Sequence, residues 1–264
     1  MYKKYLALAL AAFLIVGTTA CSKEEVHTEP TAQTAAHHWT YSGEEGPEHW
    51  GEIDPANTAC VNGTEQSPID IETAKVDKNE SLGELSLKYE PVKVSLQNNG
   101  HTIQANVQEG NAQITIGDKT YKLAQFHFHL PSEHELDGKA YEMELHLVHK
   151  TEAKELAVLG VLLKSGGENT EFAKFWSSIP KEKTEADLAV ESTIDLNALL
   201  PADKTYFRYA GSLTTPPCSQ GVTWTVLKTP VEMSTAQIDA FKAIFPLNAR
   251  PVQDLKSREV QTEK

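Results

Sequence analysis

Three histidines in one short stretch of the chain have the type and spacing to hold a transition metal. His127 and His129 alternate with phenylalanine in Gln125-Phe126-His127-Phe128-His129, and His146 follows in Glu144-Leu145-His146-Leu147-Val148-His149. Alternate side chains of a strand share a face, so Gln125, His127 and His129 point one way and Phe126 and Phe128 the other. The second segment divides likewise, with Glu144, His146 and Val148 on one face and Leu145, Leu147 and His149 on the opposite one. Between the two, Pro131-Ser132-Glu133-His134-Glu135-Leu136-Asp137-Gly138 is rich in turn and polar residues. Two strands joined this way can lie side by side and bring the three imidazoles together. An H-x-H pair alone is common in half-buried strands; the third histidine on a facing strand tips the reading to metal. Three imidazoles without a thiolate suit zinc with its fourth position open to water, rather than oxygen-seeking calcium or magnesium. Gln125 and Glu144 each precede a ligand by two residues on the same face, where acceptors for the second imidazole nitrogens are wanted.

Strands hold ligands more rigidly than loops, and the surrounding sequence is rich in strand signals. Short alternating runs recur at 85–89, 92–96, 102–107, 113–116, 156–163, 206–211 and 222–227, separated by turns such as Asn98-Asn99-Gly100 and Gly117-Asp118. Helical patterns are confined to 168–179 and 234–245, the second opening on Ser234 as N-cap with Ile238, Phe241, Ile244 and Phe245 as its apolar face. The predicted fold is mainly β (α+β): a large central twisted, mostly antiparallel sheet with short peripheral helices and the zinc site on strands. With 264 residues the chain suffices for one large domain, expected over 39–258, with a tail at 259–264.

The net charge of −13 argues against nucleic acid as a partner, because phosphate binding wants a basic surface. The N-terminus reads as a signal peptide over 1–20. Lys3 and Lys4 precede an apolar run at 6–16 that is too short to span a bilayer. Gly17-Thr18-Thr19-Ala20-Cys21 resembles a bacterial lipoprotein cleavage box that would place lipid on Cys21. Thr18 departs from the usual aliphatic residue, so ordinary cleavage after Ala20 is the alternative. Residues 21–38 then form a polar tether to an exported domain, in the periplasm or on the outer side of the cytoplasmic membrane. Export permits disulfides, and Cys60 and Cys218 can pair or remain as two buried thiols.

Further motifs recur in a fixed order: His38-Trp39-Thr40-Tyr41, Gly46-Pro47-Glu48-His49-Trp50, Gln66-Ser67-Pro68-Ile69-Asp70, Asn98-Asn99-Gly100-His101 and Ser132-Glu133-His134. After these come Ala157-Val158-Leu159-Gly160, the run 212–217, Val222-Thr223-Trp224 and Asn248-Ala249-Arg250-Pro251. With the two histidine segments they resemble the α-class carbonic anhydrases over about 39–258. That resemblance implies reversible hydration of carbon dioxide to bicarbonate and a proton, by attack of zinc-bound hydroxide. It makes His127, His129 and His146 the ligands, supported by Gln125, Glu144 and the backbone carbonyl of Asn248. Thr214 accepts the hydroxide proton and passes its own hydrogen to Glu133, while its N–H holds bicarbonate or an anionic inhibitor; sulfonamides would bind at the zinc. Val148, Val158, Leu213, Val222 and Trp224 form the apolar wall for carbon dioxide. His101, with a near-neutral pKa, is the proton shuttle, and Tyr41, Asn99 and Gln104 order its water chain. The matching cysteines of secreted members are bridged, and bacterial members are often homodimers. His134 and His149 are expected to be structural, and His38 and His49 receive no role. Lys150 stands where many animal members carry Trp, outside the ligand set. A non-catalytic relative would typically lack a zinc histidine, and a zinc scavenger would carry a longer His-rich tract than His37-His38; neither fits.

Overall fold

Alternating apolar residues between 119 and 165 fold into three adjacent strands on which the rest of the molecule is arranged. The computed structural model describes residues 38–82 and 85–263, so the expected signal peptide, Cys21 and the tether before His38 lie outside the described residues. The strands, in chain order, are β1 (Asp70–Ile71), β2 (Asp77–Lys78), β3 (Ser86–Tyr89), β4 (Lys93–Asn98), β5 (Ile103–Glu109), β6 (Ala112–Ile116) and β7 (Lys119–His129). They continue as β8 (Glu135–Leu136), β9 (Met143–Lys150), β10 (Leu156–Ser165), β11 (Leu188–Ala189), β12 (Tyr206–Ser212), β13 (Gln220–Met233) and β14 (Gln261–Thr262). Twelve of them form one sheet in the order β11-β4-β5-β7-β9-β10-β13-β12-β14-β2, with β6 also beside β7 and β3 beside β6. Pairing is antiparallel except for β10 with β13 and β14 with β2, which matches the expected mostly antiparallel sheet. β1 and β8 make a separate parallel pair.

One face of the sheet carries the main core. Phe126 and Phe128 of β7, Leu145 and Leu147 of β9 and Leu159 and Val161 of β10 pack with the aromatic faces of two helices, α3 (Thr170–Trp176) and α4 (Thr235–Lys242). Fully burying side chains of this size stabilises by roughly 1.5–3 kcal/mol each, so this layer fixes which face is left for the site. Asn169 caps α3 through its side chain. At α4, Ser234 and Gln237 form a reciprocal capping box. Both helices are shorter than their patterns suggest. Pro180 and Pro246 lie just beyond them and restrict the preceding residues. Phe245 still reaches the core from the turn after α4. Two four-residue helices, α1 (Trp50–Ile53) and α2 (Ala59–Asn62), carry too few residues to show a period in sequence.

Two irregularities set the register. β7 pairs Leu123 with His149 and Gln125 with Val148, so Ala124 is an extra, bulged residue. The bulge lets Leu123 join Phe126 and Phe128 in the core while Gln125, His127 and His129 turn to the opposite face. β13 runs on past the expected 222–227 because pairing with β10 skips from Leu227 to Val231, and Pro230 sits in the skipped segment. The residues expected as a tail are part of the sheet: β14 pairs with β12 and β2, Val260 is buried, and Thr262 Oγ1 donates to Tyr206 O at 2.8 Å.

Cys60 and Cys218 are joined in a disulfide across 158 positions. Closing a loop this long is worth roughly 5 kcal/mol in the chain-entropy picture of the unfolded state. Replacing both cysteines by alanine is expected to lower the unfolding free energy by about 2–5 kcal/mol, read from urea titrations of the two proteins side by side.

Candidate active site

Antiparallel pairing places His127 of β7 directly opposite His146 of β9. His129, two residues along β7, completes a set whose nitrogens all lie within 4.8 Å of one another. The partners of the outer nitrogens fix the tautomers. His127 Nδ1 donates to Gln125 Oε1 at 2.8 Å and His129 Nδ1 donates to the Asn248 carbonyl at 2.7 Å. Amide oxygens only accept, so Nε2 of each ring keeps its lone pair. His146 is turned the other way: Nε2 lies 3.0 Å from Glu144 Oε1, which leaves Nδ1 as the free nitrogen. His129 Nε2 is buried and has no hydrogen-bond partner. An unpaired nitrogen in the interior is costly unless something coordinates it, and two further imidazole nitrogens converge on the same point. The donor set therefore fits zinc.

Burial lowers the pKa of all three ligand imidazoles, His129 to about 4, so they are neutral as metal binding requires. Burial opposes the charge on Glu144, but His134 and His146 outweigh it and hold the carboxyl well below its usual range. Glu144 Oε2 accepts the backbone N–H groups of Glu133 and His134, at 2.9 and 2.8 Å, and its Oε1 lies 2.7 Å from His134 Nδ1. His134, Glu144 and His146 also cluster tightly, but the carboxylate and both His134 nitrogens are engaged, the far one 2.6 Å from the Tyr209 hydroxyl. This cluster supports the ligand His146 and is not a second metal site.

The ligands sit at the base of a cavity of about 210 Å³. Val148, Val158, Leu213 and Trp224 form one wall, and Tyr41, Asn99, His101, Gln104 and Thr214 line it as well. Val222 does not reach it. It is 1 % exposed within the apolar cluster behind, where the larger Trp224 ring two residues on covers the distance to the cavity. Glu133 lies beneath the wall. Its Oε1 accepts the Arg250 backbone N–H at 2.9 Å, and burial raises its pKa to about 7 against the pull of His146, Arg250 and the Thr214 hydroxyl. A larger neighbouring cavity of about 450 Å³ shares Tyr41 and is also lined by Glu133, but has no histidine in its lining.

His101 departs from its near-neutral expectation. Burial, then the charges of His38 and Lys183, push its pKa down to about 4. The ring stacks on Trp39 at 3.7 Å between centroids, a contact that no local pattern around residue 101 signals. Asn99 Oδ1 accepts the N–H groups of His101 and Thr102, and Asn248 Nδ2 donates to His101 O, so the turn itself is fixed.

A family model described as eukaryotic-type carbonic anhydrase matches residues 45–264. A carbonic anhydrase from Nostoc sp. is 42% identical over 98% of this chain and 97% of its own length. One from Klebsiella pneumoniae is 48% identical over 85% of this chain and 91% of its own. The structure of the α-carbonic anhydrase of Thermovibrio ammonificans with sulfanilamide superposes with a TM-score of 0.82 at 44% identity, covering 86% of this chain and all of that one. The chain belongs to the α-carbonic anhydrase family. Carbonic anhydrases of this class are zinc-dependent enzymes, and the His127–His129–His146 triad is present here.

Gly160 is a support position that neither periodicity nor residue type announces. It lies opposite His146 in the sheet, and a Cβ there would stand 2.9 Å from Glu144 Oε1. Gly160→Ala in this carbonic anhydrase is expected to push Glu144 off His146 and weaken zinc binding about 10–100-fold, with the far-UV circular dichroism retained. Chelator competition measures the change.

Proposed function

We propose that this chain catalyses the reversible hydration of carbon dioxide with a zinc ion held by His127, His129 and His146. The observation that carries the reading is the buried, partnerless Nε2 of His129 facing two more imidazole nitrogens. Bound there, zinc acts as a Lewis acid that lowers the pKa of water to about 7, a value established for carbonic anhydrases in general. The remaining work belongs to the chain. Carbon dioxide is apolar and offers no strong hydrogen-bonding handle, so Val148, Val158, Leu213 and Trp224 hold it by burial against the ligands. Thr214 gives its hydroxyl hydrogen to Glu133 and thereby presents its oxygen only as an acceptor, which selects the orientation of a donor in the cavity. The Thr214 backbone N–H is the donor we assign to bicarbonate or an inhibiting anion, and a sulfonamide would occupy the same ground. Each turnover releases a proton. Tyr41, Asn99 and Gln104 keep water along the polar side, and His101 at the cavity mouth accepts the proton through it.

Export is proposed from Lys3, Lys4 and the apolar run that follows, and the disulfide agrees with an oxidising compartment. Lipid on Cys21 would hold the enzyme at a membrane. Cys21→Ser is expected to abolish incorporation of radiolabelled palmitate in a bacterial host.

Stopped-flow hydration on the chain from Trp39 onward, with zinc counted in parallel, tests the main reading. Fast turnover with one zinc per chain is expected, and His146→Ala should abolish both. Stoichiometric zinc without hydration would sink the enzymatic reading.

A further inference from the structure

The polar side of the cavity is continuous with a row of side-chain hydrogen bonds that ends at the edge of the sheet. Gln104 lies opposite His127, and Asn106 lies opposite both Ser95 and Gln125, so these side chains share the face that carries the metal ligands. Asp187 stands just before the edge strand β11, whose Ala189 pairs with Ser95. One oxygen of Asp187, Oδ2, accepts from Ser95 Oγ at 2.6 Å and from Asn106 Nδ2 at 2.9 Å. Asn106 Oδ1 in turn accepts from Gln104 Nε2 at 2.6 Å. Ser95 is buried, and its Oγ accepts from Gln108 Nε2 at 2.9 Å, which leaves the hydroxyl hydrogen for Asp187. A side-chain amide turned end for end keeps its shape, so a neighbour must choose its polarity. Here a carboxylate makes the choice. It only accepts, so Asn106 must show it the NH2 group and turn its own oxygen the other way. Gln104 must then meet that oxygen with its NH2 group. Gln104 lines the cavity and Asn106 does not, so the amide oxygen of Gln104 is the atom left for the cavity.

We propose that Asp187 is a remote positioning residue for proton release: through Asn106 it fixes the amide of Gln104 with Oε1 as an acceptor toward the water chain that leads to His101. This deepens the assignment of Gln104 to that water chain and rests on it. A water held on Gln104 Oε1 spends one O–H there and keeps both lone pairs and one O–H free. It can therefore take a proton on a lone pair, forming one O–H bond, while its free O–H bond breaks toward His101. The reversed amide would donate into one of those lone pairs and compete with the arriving proton. Asp187 touches neither substrate nor metal ligand; its effect is carried by two amides whose orientations are linked end to end.

The test uses the full-length zinc-loaded enzyme in dilute, bulky buffer and again with concentrated imidazole. Asp187→Asn has the same shape but no longer dictates polarity. It is expected to lower kcat roughly two- to fivefold in dilute buffer, the effect of one misdirected neutral hydrogen bond, with kcat/KM unchanged and recovery in imidazole. Asp187→Glu keeps an acceptor-only group and should retain kcat. A merely structural role would instead lower the melting temperature and kcat/KM together. Asn106→Leu cuts the row in the middle and should cost at least as much as Asp187→Asn, and combining the two should cost nothing more, because they act in series. A neutron structure of the deuterated enzyme reads the polarity directly, with two deuteriums expected on the Gln104 atom facing Asn106. Deuteriums on the cavity side overturn the proposal. Normal kcat in Asp187→Asn beside an impaired Gln104→Leu also overturns it and leaves Gln104 in the water chain. If Gln104→Leu has no effect on kcat, the water-chain assignment itself fails, and the role of Asp187 with it.

Discussion

The site depends on one buried anion. Glu144 is fully buried, and an isolated carboxylate there would cost many kcal/mol of lost hydration. It is tolerated because two backbone N–H groups, His134 and His146 converge on it. The arrangement works only as a whole, since removing one partner of a buried charge leaves the rest uncompensated. That requirement explains several otherwise separate features: the bend that aims two successive N–H groups at one oxygen, the glycine at 160 that makes room, and the Tyr209 hydroxyl that holds His134 from behind. His146 inherits its orientation from this frame.

Arg250 is the complementary buried cation, and it links distant parts. Its guanidinium donates to Gln66 Oε1, Ser67 O and Cys60 O, and its backbone N–H to Glu133. Gln66 in turn donates to Cys218 O. Both half-cystines are thus tied to Arg250, one directly and one through the Gln66 amide, and Arg250 in turn to the acid beneath Thr214. Burial lowers the Arg250 pKa to about 10 while Glu133 pulls it back up, as expected for a cation sharing a dry interior with a carboxylate. The disulfide therefore contributes local order to the catalytic wall as well as limiting the freedom of the unfolded chain.

Much of this was legible in the sequence because strand parity is a local property. Alternation at 125–129 and 144–149 is enough to put the three imidazoles on one face, and the capping signal at Ser234 depends on residues within one turn. What could not be read belongs to pairs of segments. The bulge at Ala124 and the skip around Pro230 are matters of register between strands; Ala124 is ordinary in its own neighbourhood, and Pro230 marks an interruption without saying how far the pairing shifts. Val222 and Trp224 share a face, but only the packing shows that the larger ring reaches the cavity while the valine stays behind it. The low proton affinity of His101 arises largely from burial at a rim shared with Trp39, some sixty positions earlier in the chain. The short strand β14 has too few residues to advertise itself and is defined by what it pairs with.

That pairing bears on how the molecule can come into being. β2 has β14 as its neighbour in the sheet, and Asn79 donates to Gln261 across 182 positions. A chain threaded N-terminus first through a translocation pore would present β2 long before β14 arrived. Every metal ligand would also emerge in that interval. On that route the early segment would wait, open-edged, until β14 had passed. Such late closure demands little of a chain that must stay extended in transit, and much of one that must avoid wrong partners once it is through.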